Sequence, residues 1–262
     1  MIVLVIFLVI LVALIAAYFL YFIKPASRIP TDTRLLCDYA HRGLHSRETP
    51  ENSLAAFSAA CEAGYGIELD IQLSSDGAVM VFHDPTLLRM TGYNVKLSEQ
   101  TAAVLFDLRL YGTAEHIPQL SEVLSLVNGR VPILVELKGE SMDTALCDRA
   151  AELLSRYHGP YCIESFNPML LHAMKKRLPD AYIGLLYTNV CKAKKKTTLL
   201  NILLTLMAFN FLAKPDFIAY DKAERRAIPV RIAAELYHAG RFVWTLRPGD
   251  ARMEGEHAIF EE

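Results

Sequence analysis

Two carboxylates alternate around a leucine in Glu68-Leu69-Asp70, and a third opens Glu136-Leu137-Lys138. In a strand, residues i and i+2 share a face, so Glu68 points with Asp70 and Glu136 with Lys138. His41-Arg42-Gly43 lies upstream, and His83-Asp84 lies between the two acidic segments. Three acids, two histidines, an arginine and a lysine converging on one pocket describe a hard cation beside a phosphate. Glu68, Asp70 and Glu136 offer anionic oxygens to Mg²⁺ or Ca²⁺ and leave coordination positions for substrate and water. Arg42 brings a planar fork to a phosphate and Lys138 a point charge. His41 and His83 are suited to acid–base work, one taking the nucleophile's proton and the other protonating the leaving oxygen. A lone Glu-x-Asp is ordinarily a solvated strand face and a lone His-Arg-Gly an ordinary turn. Burying all of them on one face without partners would be very costly, which favours a site.

The elements that position these groups can be read from the apolar pattern. Strands are expected at Cys37 to His41, Gly66 to Leu73, Ile133 to Leu137, Tyr161 to Ser165, Tyr182 to Leu186, Phe217 to Tyr220, Phe242 to Thr245 and Ala258 to Phe260. Helical patterns separate most of them. Ser53 caps one helix with Leu54, Phe57, Ala60 and Cys61 on a face and Gly64 as its stop. Val79 to Phe82 also reads as a strand, but only five residues separate it from its predecessor. A parallel crossover needs a dozen or more residues, so this pair is an antiparallel hairpin turning at Asp76-Gly77. Residues from about 72 to 117 then form an insertion after the second strand. Eight β-then-α units predict an α/β fold, a (β/α)₈ TIM barrel, with the acids and histidines at its catalytic, C-terminal face. The last unit is short, with only Pro248 to Glu256 between the final two strands.

Residues 2–23 carry no charge. At about 1.5 Å per residue, such a run spans the roughly 30 Å hydrocarbon core, which predicts a single N-terminal transmembrane helix. A cleaved signal peptide is the competing reading. The run is long for that role, lacks a basic n-region and is not followed by a clear small-x-small cleavage site. Lys24, Arg28 and Arg34 follow the helix, so the positive-inside rule places the C-terminal domain in the cytoplasm. Residues 24–36, with Pro25 and Pro30, form a linker, and 37–262 form the catalytic barrel. Five scattered cysteines without metal-ligand spacing read as buried free thiols in a reducing compartment. The net charge of −2 argues against a nucleic-acid partner.

A second membrane signal lies late in the chain. The basic run Lys192 to Lys196 precedes an apolar run from Leu199 to Leu212. That run is too short to span, yet it lacks the polar face expected of an outer barrel helix. Contact with an anionic membrane surface, a buried barrel helix and a dimer contact are the three readings.

The chain resembles the glycerophosphodiester phosphodiesterase family, in the manner of its membrane-anchored bacterial-type members. The matching text is Ala40-His41-Arg42-Gly43, Pro50 to Phe57, Ile67 to Leu73, Asp76-Gly77, Val81 to Asp84, Ile117 to Leu120, Val135 to Lys138, Ser165-Phe166 and Val243 to Thr245. It covers about residues 37 to 262. The resemblance implies a (β/α)₈ barrel with an insertion after the second strand. It implies one divalent cation on Glu68, Asp70 and Glu136, acid–base catalysis by His41 and His83, and phosphate binding by Arg42 and Lys138. Ser53 stands where the family often has Thr. Glu51 either supports Arg42 or favours a helix N-terminus. Phe166 and Trp244 either wall the alcohol pocket or pack the barrel rim. The remaining histidines, at 45, 116, 158, 172, 238 and 257, lack motif context and read as non-functional.

The expected activity is metal-dependent hydrolysis of small-molecule glycerophosphodiesters, at the membrane, to glycerol phosphate and an alcohol. The alternative is a lysophospholipase D acting on membrane lysophospholipids, whose pocket would carry an apolar channel toward the bilayer. A phosphatidylinositol-type phospholipase C shares the barrel but fits the three-acid set less well. A catalytically dead lipid-binding barrel would lack a ligand or a histidine, and none is missing. The alcohol head group, the preferred metal and the oligomeric state are not written in the sequence.

Overall fold

The fold is described from a computed structural model, which covers residues 2–139 and 143–262. Nine strands form one sheet: β1 Tyr39–Ala40, β2 Gly66–Leu73, β3 Val79–Val81, β4 Ile133–Leu137, β5 Tyr161–Ser165, β6 Tyr182–Tyr187, β7 Phe217–Asp221, β8 Gly240–Leu246 and β9 Glu256–Phe260. Their order is β1-β9-β8-β7-β6-β5-β4-β2-β3, and β1 also pairs with β2. Eight strands therefore close into a parallel barrel, while β3 pairs antiparallel with β2. This is the (β/α)₈ barrel with a hairpin insertion that the spacing predicts. The insertion carries the short helices α3 Leu88–Thr91 and α4 Ala102–Asp107. It has its own apolar cluster, including Phe82, Leu87, Met90, Leu97 and Leu105. The other barrel-associated helices are α2 Leu54–Ala63, α5 Leu120–Val127, α6 Ala145–Leu154, α7 Pro168–Arg177, α8 Val190–Ala193, α9 Leu199–Thr205, α10 Asn210–Ala213 and α11 Ile228–Arg231.

Strand alternation explains where the site can form. On β2, Ile67, Leu69 and Ile71 join the outer core against the helices, and so do Ile133, Val135 and Leu137 on β4. Their neighbours point into the barrel. The lower interior is filled by Tyr39, Leu134, Cys162, Tyr182, Phe217 and Phe242. Two residues further along β4 and β5, Glu136 and Glu164 take the inward positions, as Glu68 and Asp70 do on β2, and all four are buried. The apolar plug closes the bottom, so charge converges only at the strand C-termini. Asp70 is in register with Glu136, and Glu136 with Glu164, which sets three acids side by side.

Helix ends follow the local chemistry. The Ser53 side chain accepts from the Ala56 amide, and Gly64 ends α2 in left-handed backbone. Glu122 reaches back to the Gln119 amide at the start of α5. The expected strand at Cys37 to His41 contributes only Tyr39 and Ala40 to the ladder, because the chain turns sharply at Arg42, whose φ is 56°. No helix lies between β8 and β9 among the described residues. Arg252 braces that loop through two bonds to Asp38. The five cysteines are free, but only Cys147 and Cys162 are buried, which corrects the expectation of a uniformly buried set.

The N-terminal helix α1, Ile2–Ala17, continues through a π-wound turn, Tyr18–Phe22, giving 21 apolar residues with none of the most hydrophobic stretch buried. It is long and apolar enough to cross a membrane. Its foot is docked on the barrel: Ile23 is fully buried, and the Ala26 amide donates to the Pro215 carbonyl. Arg28 forks onto Asp216, at 2.8 Å to each oxygen, and donates to the carbonyls of Pro179 and Ala181. The apolar run expected as one helix from Leu199 to Leu212 is two short helices, α9 and α10. Left-handed backbone at Met207, φ 52°, separates them.

Candidate active site

The His41-Arg42-Gly43 turn is held where β1 ends. A side chain at Gly43 would meet Ala56 and Phe57 at 2.9 Å, so only glycine lets the turn press against α2. The turn aims the Arg42 amide at Glu68 Oε2, 2.8 Å away. The Arg42 guanidinium donates to Glu51 Oε1 at 2.8 Å and lies 3.4 Å from Asp70 Oδ2. Asn52, just before the α2 cap, donates its side-chain amide to the same Asp70 oxygen at 2.8 Å. Lys138 Nζ sits between Asp70 Oδ1, at 2.8 Å, and Glu136 Oε1, at 2.7 Å.

Glu68, Asp70 and Glu136 present oxygens within 4.8 Å of one another, and all three are buried. Burial, then Asp70 and Glu136, pushes Glu68 well above the usual carboxylate range. Burial also lifts Glu136 to about 7, against the pull of Lys138. Asp70 is equally buried, but Lys138 and Arg42 outweigh that burial and hold it low. Glu164 adds a fourth buried acid. Its carboxyl is pushed up by burial and by Glu68 and Glu136, and its Oε2 has no hydrogen-bond partner among the described residues. Fully ionised, these four carboxylates carry more negative charge than Arg42 and Lys138 balance, which is why burial prevails and raises three of them. An all-oxygen donor set of this size and charge fits a hard divalent cation.

Both histidines are anchored through Nδ1. His41 Nδ1 lies 2.8 Å from Glu261 Oε1, and His83 Nδ1 lies 2.6 Å from Asp84 Oδ1. An ionised carboxylate only accepts, so each Nδ1 carries the proton and each Nε2 is left for the site. His41 Nε2 is 4.0 Å from Glu68 Oε2. The Gln72 side-chain amide donates to the carbonyls of Phe82, His83 and Asp84, which pins the turn that presents His83. Burial lowers the His83 imidazole, with Asp70 opposing. The bond to His41 pulls the Glu261 carboxyl down to about 2.

Sequence reasoning missed several of these supports. Arg89 donates to both oxygens of Glu51 and both of Asp84, at 2.6 to 3.1 Å. One chain of charges therefore runs from His83 through Asp84, Arg89 and Glu51 to Arg42. Glu51 accepts directly from Arg42, at 2.8 Å. The signals were weak: Arg89 lies in the insertion, and Glu261 lies 220 residues from His41. Glu164 had a readable signal, since it alternates with Cys162 on β5. Phe166 and Trp244 meet edge to face at the rim, with centroids 5.8 Å apart. Phe166 is 42 % exposed, and Trp244 donates its indole N–H to the Ala219 carbonyl. His116 and His172 have structural partners, Glu122 and the Leu212 carbonyl.

A buried acidic triad, flanked by cations and two oriented imidazoles at the C-terminal face of an α/β barrel, defines a class of sites built for anionic substrates. Residues 41–250 match the glycerophosphoryl diester phosphodiesterase family, and the chain belongs to that family. It is 35 % identical over 161 residues to a glycerophosphodiester phosphodiesterase of Caldanaerobacter subterraneus, covering 56 % of this chain and 65 % of that protein. The chain matches only about half to two thirds of the length of such relatives, 65 % and 51 % in two cases. Among solved structures, a Thermotoga maritima glycerophosphodiester phosphodiesterase superposes with a TM-score of 0.61 at 27 % identity, covering 80 % of this chain and 86 % of that one. An Oleispira antarctica phosphodiesterase, solved with its product sn-glycerol-3-phosphate, superposes with a TM-score of 0.65 at 22 % identity, covering 80 % and 85 %.

Proposed function

We propose that this chain is a divalent-metal-dependent glycerophosphodiester phosphodiesterase, cleaving a phosphodiester to glycerol phosphate and an alcohol. The observation that carries this reading is the convergence of Glu68, Asp70 and Glu136 with Arg42, Lys138, His41 and His83 at one barrel mouth. The names of its relatives and the glycerol phosphate held by the Oleispira antarctica structure support the same substrate class.

The triad would hold one Mg²⁺ or Ca²⁺, which when bound supplies charge stabilisation to a phosphoryl oxygen. Arg42 and Lys138 bind the phosphate. Arg42 is fixed by Glu51 before substrate arrives, so little side-chain freedom is lost on binding. One imidazole Nε2 accepts the nucleophile's proton as its oxygen bonds to phosphorus. The other starts as the imidazolium, with a proton on both nitrogens, and gives its Nε2 proton to the alcohol oxygen as the second P–O bond breaks. Glu261 and Asp84 accept from Nδ1–H in the neutral ring and in the imidazolium alike, so each ring stays oriented with Nε2 toward the site. The nucleophile is water, or a neighbouring glycerol hydroxyl whose cyclic phosphate product is then opened by water to glycerol phosphate.

The domain reading is a transmembrane helix over residues 1–23, a linker over 24–36 and a catalytic barrel over 37–262. We infer from it a single-pass protein at the cell membrane with its barrel on the cytoplasmic side. Lys24, Arg28 and Arg34 support that side. The exposed leucines of α9, with Leu199 at 73 %, support an additional surface contact by residues 192–212. Product analysis tests the function: glycerophosphocholine and glycerophosphoethanolamine should each give glycerol phosphate and the free alcohol. Release of phosphocholine instead would overturn the assignment of the broken bond.

A further inference from the structure

Strand β5 brings a fourth acid to the barrel mouth that the chemistry described above does not use. Glu164 pairs in register with Glu136 across the β4–β5 ladder. It points into the barrel two residues beyond Cys162, which belongs to the apolar plug, while Ile163 between them joins the outer core. Only 1 % of Glu164 is exposed, so its carboxyl is shielded from bulk water. The Ser165 hydroxyl donates to the Leu137 carbonyl at 2.8 Å, which fixes the end of β5 against β4 beside the acids.

A buried polar atom is ordinarily satisfied, yet Glu164 Oε2 has no hydrogen-bond partner among the described residues. The cations of the site are engaged elsewhere, Arg42 with Glu51 and Asp70, and Lys138 with Asp70 and Glu136. Buried acids that serve the fold alone look different. Asp216 receives Arg28 and the Ile183 amide, and Glu256 receives Arg225 and the Tyr220 hydroxyl. An apolar side chain would fill the place of Glu164 without the penalty of burying an acid. What its surroundings leave for it is the cation of the triad. Glu164 lies outside the group of oxygens, within 4.8 Å of one another, that Glu68, Asp70 and Glu136 present. It therefore reaches a cation held by those three through an intervening water, and hard cations, Mg²⁺ above all, retain waters when bound.

We infer that Glu164 is a fourth acid of the cation site, anchoring from β5 a water of the cation that Glu68, Asp70 and Glu136 hold. The inference rests on the metal-dependent phosphodiesterase reading and adds a positioning residue to it. The carboxylate acts in two ways: its negative charge favours the cation, and its free oxygen accepts from the water. Removing an outer partner of this kind typically changes metal affinity by about 10- to 100-fold.

The test measures cation binding apart from turnover. Chelator-treated full chain in a mild detergent is titrated with Mg²⁺ or Ca²⁺ alone by calorimetry. Beside it stand Glu164→Gln, which keeps the shape and removes the charge, and Glu164→Leu, which removes both oxygens. The expected result is a dissociation constant raised about 10- to 100-fold in each variant, for the cation that the parent binds. The rise in Tm that a fixed excess of that cation gives the parent should shrink in step, while the cation-free Tm stays at or above the parent's. A dissociation constant within twofold of the parent's in either variant overturns the inference. So does a Tm that falls equally with and without the cation, because Glu164 then serves the fold alone. Both of these outcomes leave the activity reading standing where the parent hydrolyses glycerophosphocholine. A parent that binds the cation but hydrolyses nothing overturns the activity and not the role of Glu164, and a parent that binds neither cation overturns both.

Discussion

Glu261→Gln isolates what the C-terminus gives to catalysis. Glu261 lies beyond β9 and meets His41 only because the barrel closes, with β9 pairing to β1. Its carboxylate receives the His41 Nδ1 proton at 2.8 Å. A hydrogen bond to a charged group contributes about 1.5–3 kcal/mol. The Glu261 side chain is 21 % exposed and also receives Arg247, so part of that is screened. About 1–2 kcal/mol remains, which at 1.36 kcal/mol per tenfold is about a 5- to 30-fold fall in kcat. Gln keeps the length and can still accept from Nδ1–H, so KM and thermal stability should change little. Removing the imidazole itself should cost about 10² to 10⁴-fold. The assay is choline release from glycerophosphocholine, with kcat and KM determined separately. A kcat within twofold of the parent would refute the orienting role. A fall as large as that of His41→Ala would show that Glu261 handles a proton itself.

Three further outcomes are expected. His41→Ala and His83→Ala should each lower kcat by about 10² to 10⁴-fold while circular dichroism and melting stay near the parent's, and retained activity in either variant removes that residue from the chemistry. Arg28→Ala strips a fully buried Asp216 of its ion partner; with the arginine 38 % exposed and the Ile183 amide still donating to Asp216, the cost falls near the low end of 3–5 kcal/mol, a drop of about 6–12 °C in Tm by calorimetry, and an unchanged Tm would mean that residues 24–36 do not dock. Deleting residues 1–23 should release the barrel from membrane association that resists high salt and alkaline carbonate; any remaining binding to anionic vesicles should weaken with salt and in the variant with Lys192, Lys194, Lys195 and Lys196 changed to Gln, whereas binding indifferent to both would exclude the α8–α9 surface.

How much could be read beforehand depended on whether the determining contact was local. The strands β2, β4 and β5 agree with the sequence pattern end to end, because each is buried along nearly all its length. The hairpin insertion was equally legible, since five residues cannot make a parallel crossover. The triad followed from period-two alternation, which needs no tertiary information. What was hidden depended on register and closure. Nothing near Glu261 announces His41, and nothing near Arg89 announces Glu51. Met207 adopts left-handed backbone without being glycine or asparagine, so the break between α9 and α10 left no mark in composition.

The measurement that tests the acidic triad most directly is glycerophosphocholine turnover by the purified full chain as Mg²⁺ or Ca²⁺ is titrated into chelator-treated protein, beside Glu68→Ala, Asp70→Ala and Glu136→Ala. The parent should be inactive in chelator and recover saturably with one of the two cations, and each variant should fail to recover at any concentration that saturates the parent. Turnover that persists in chelator, or variants that match the parent's rate, would contradict a metal held by Glu68, Asp70 and Glu136.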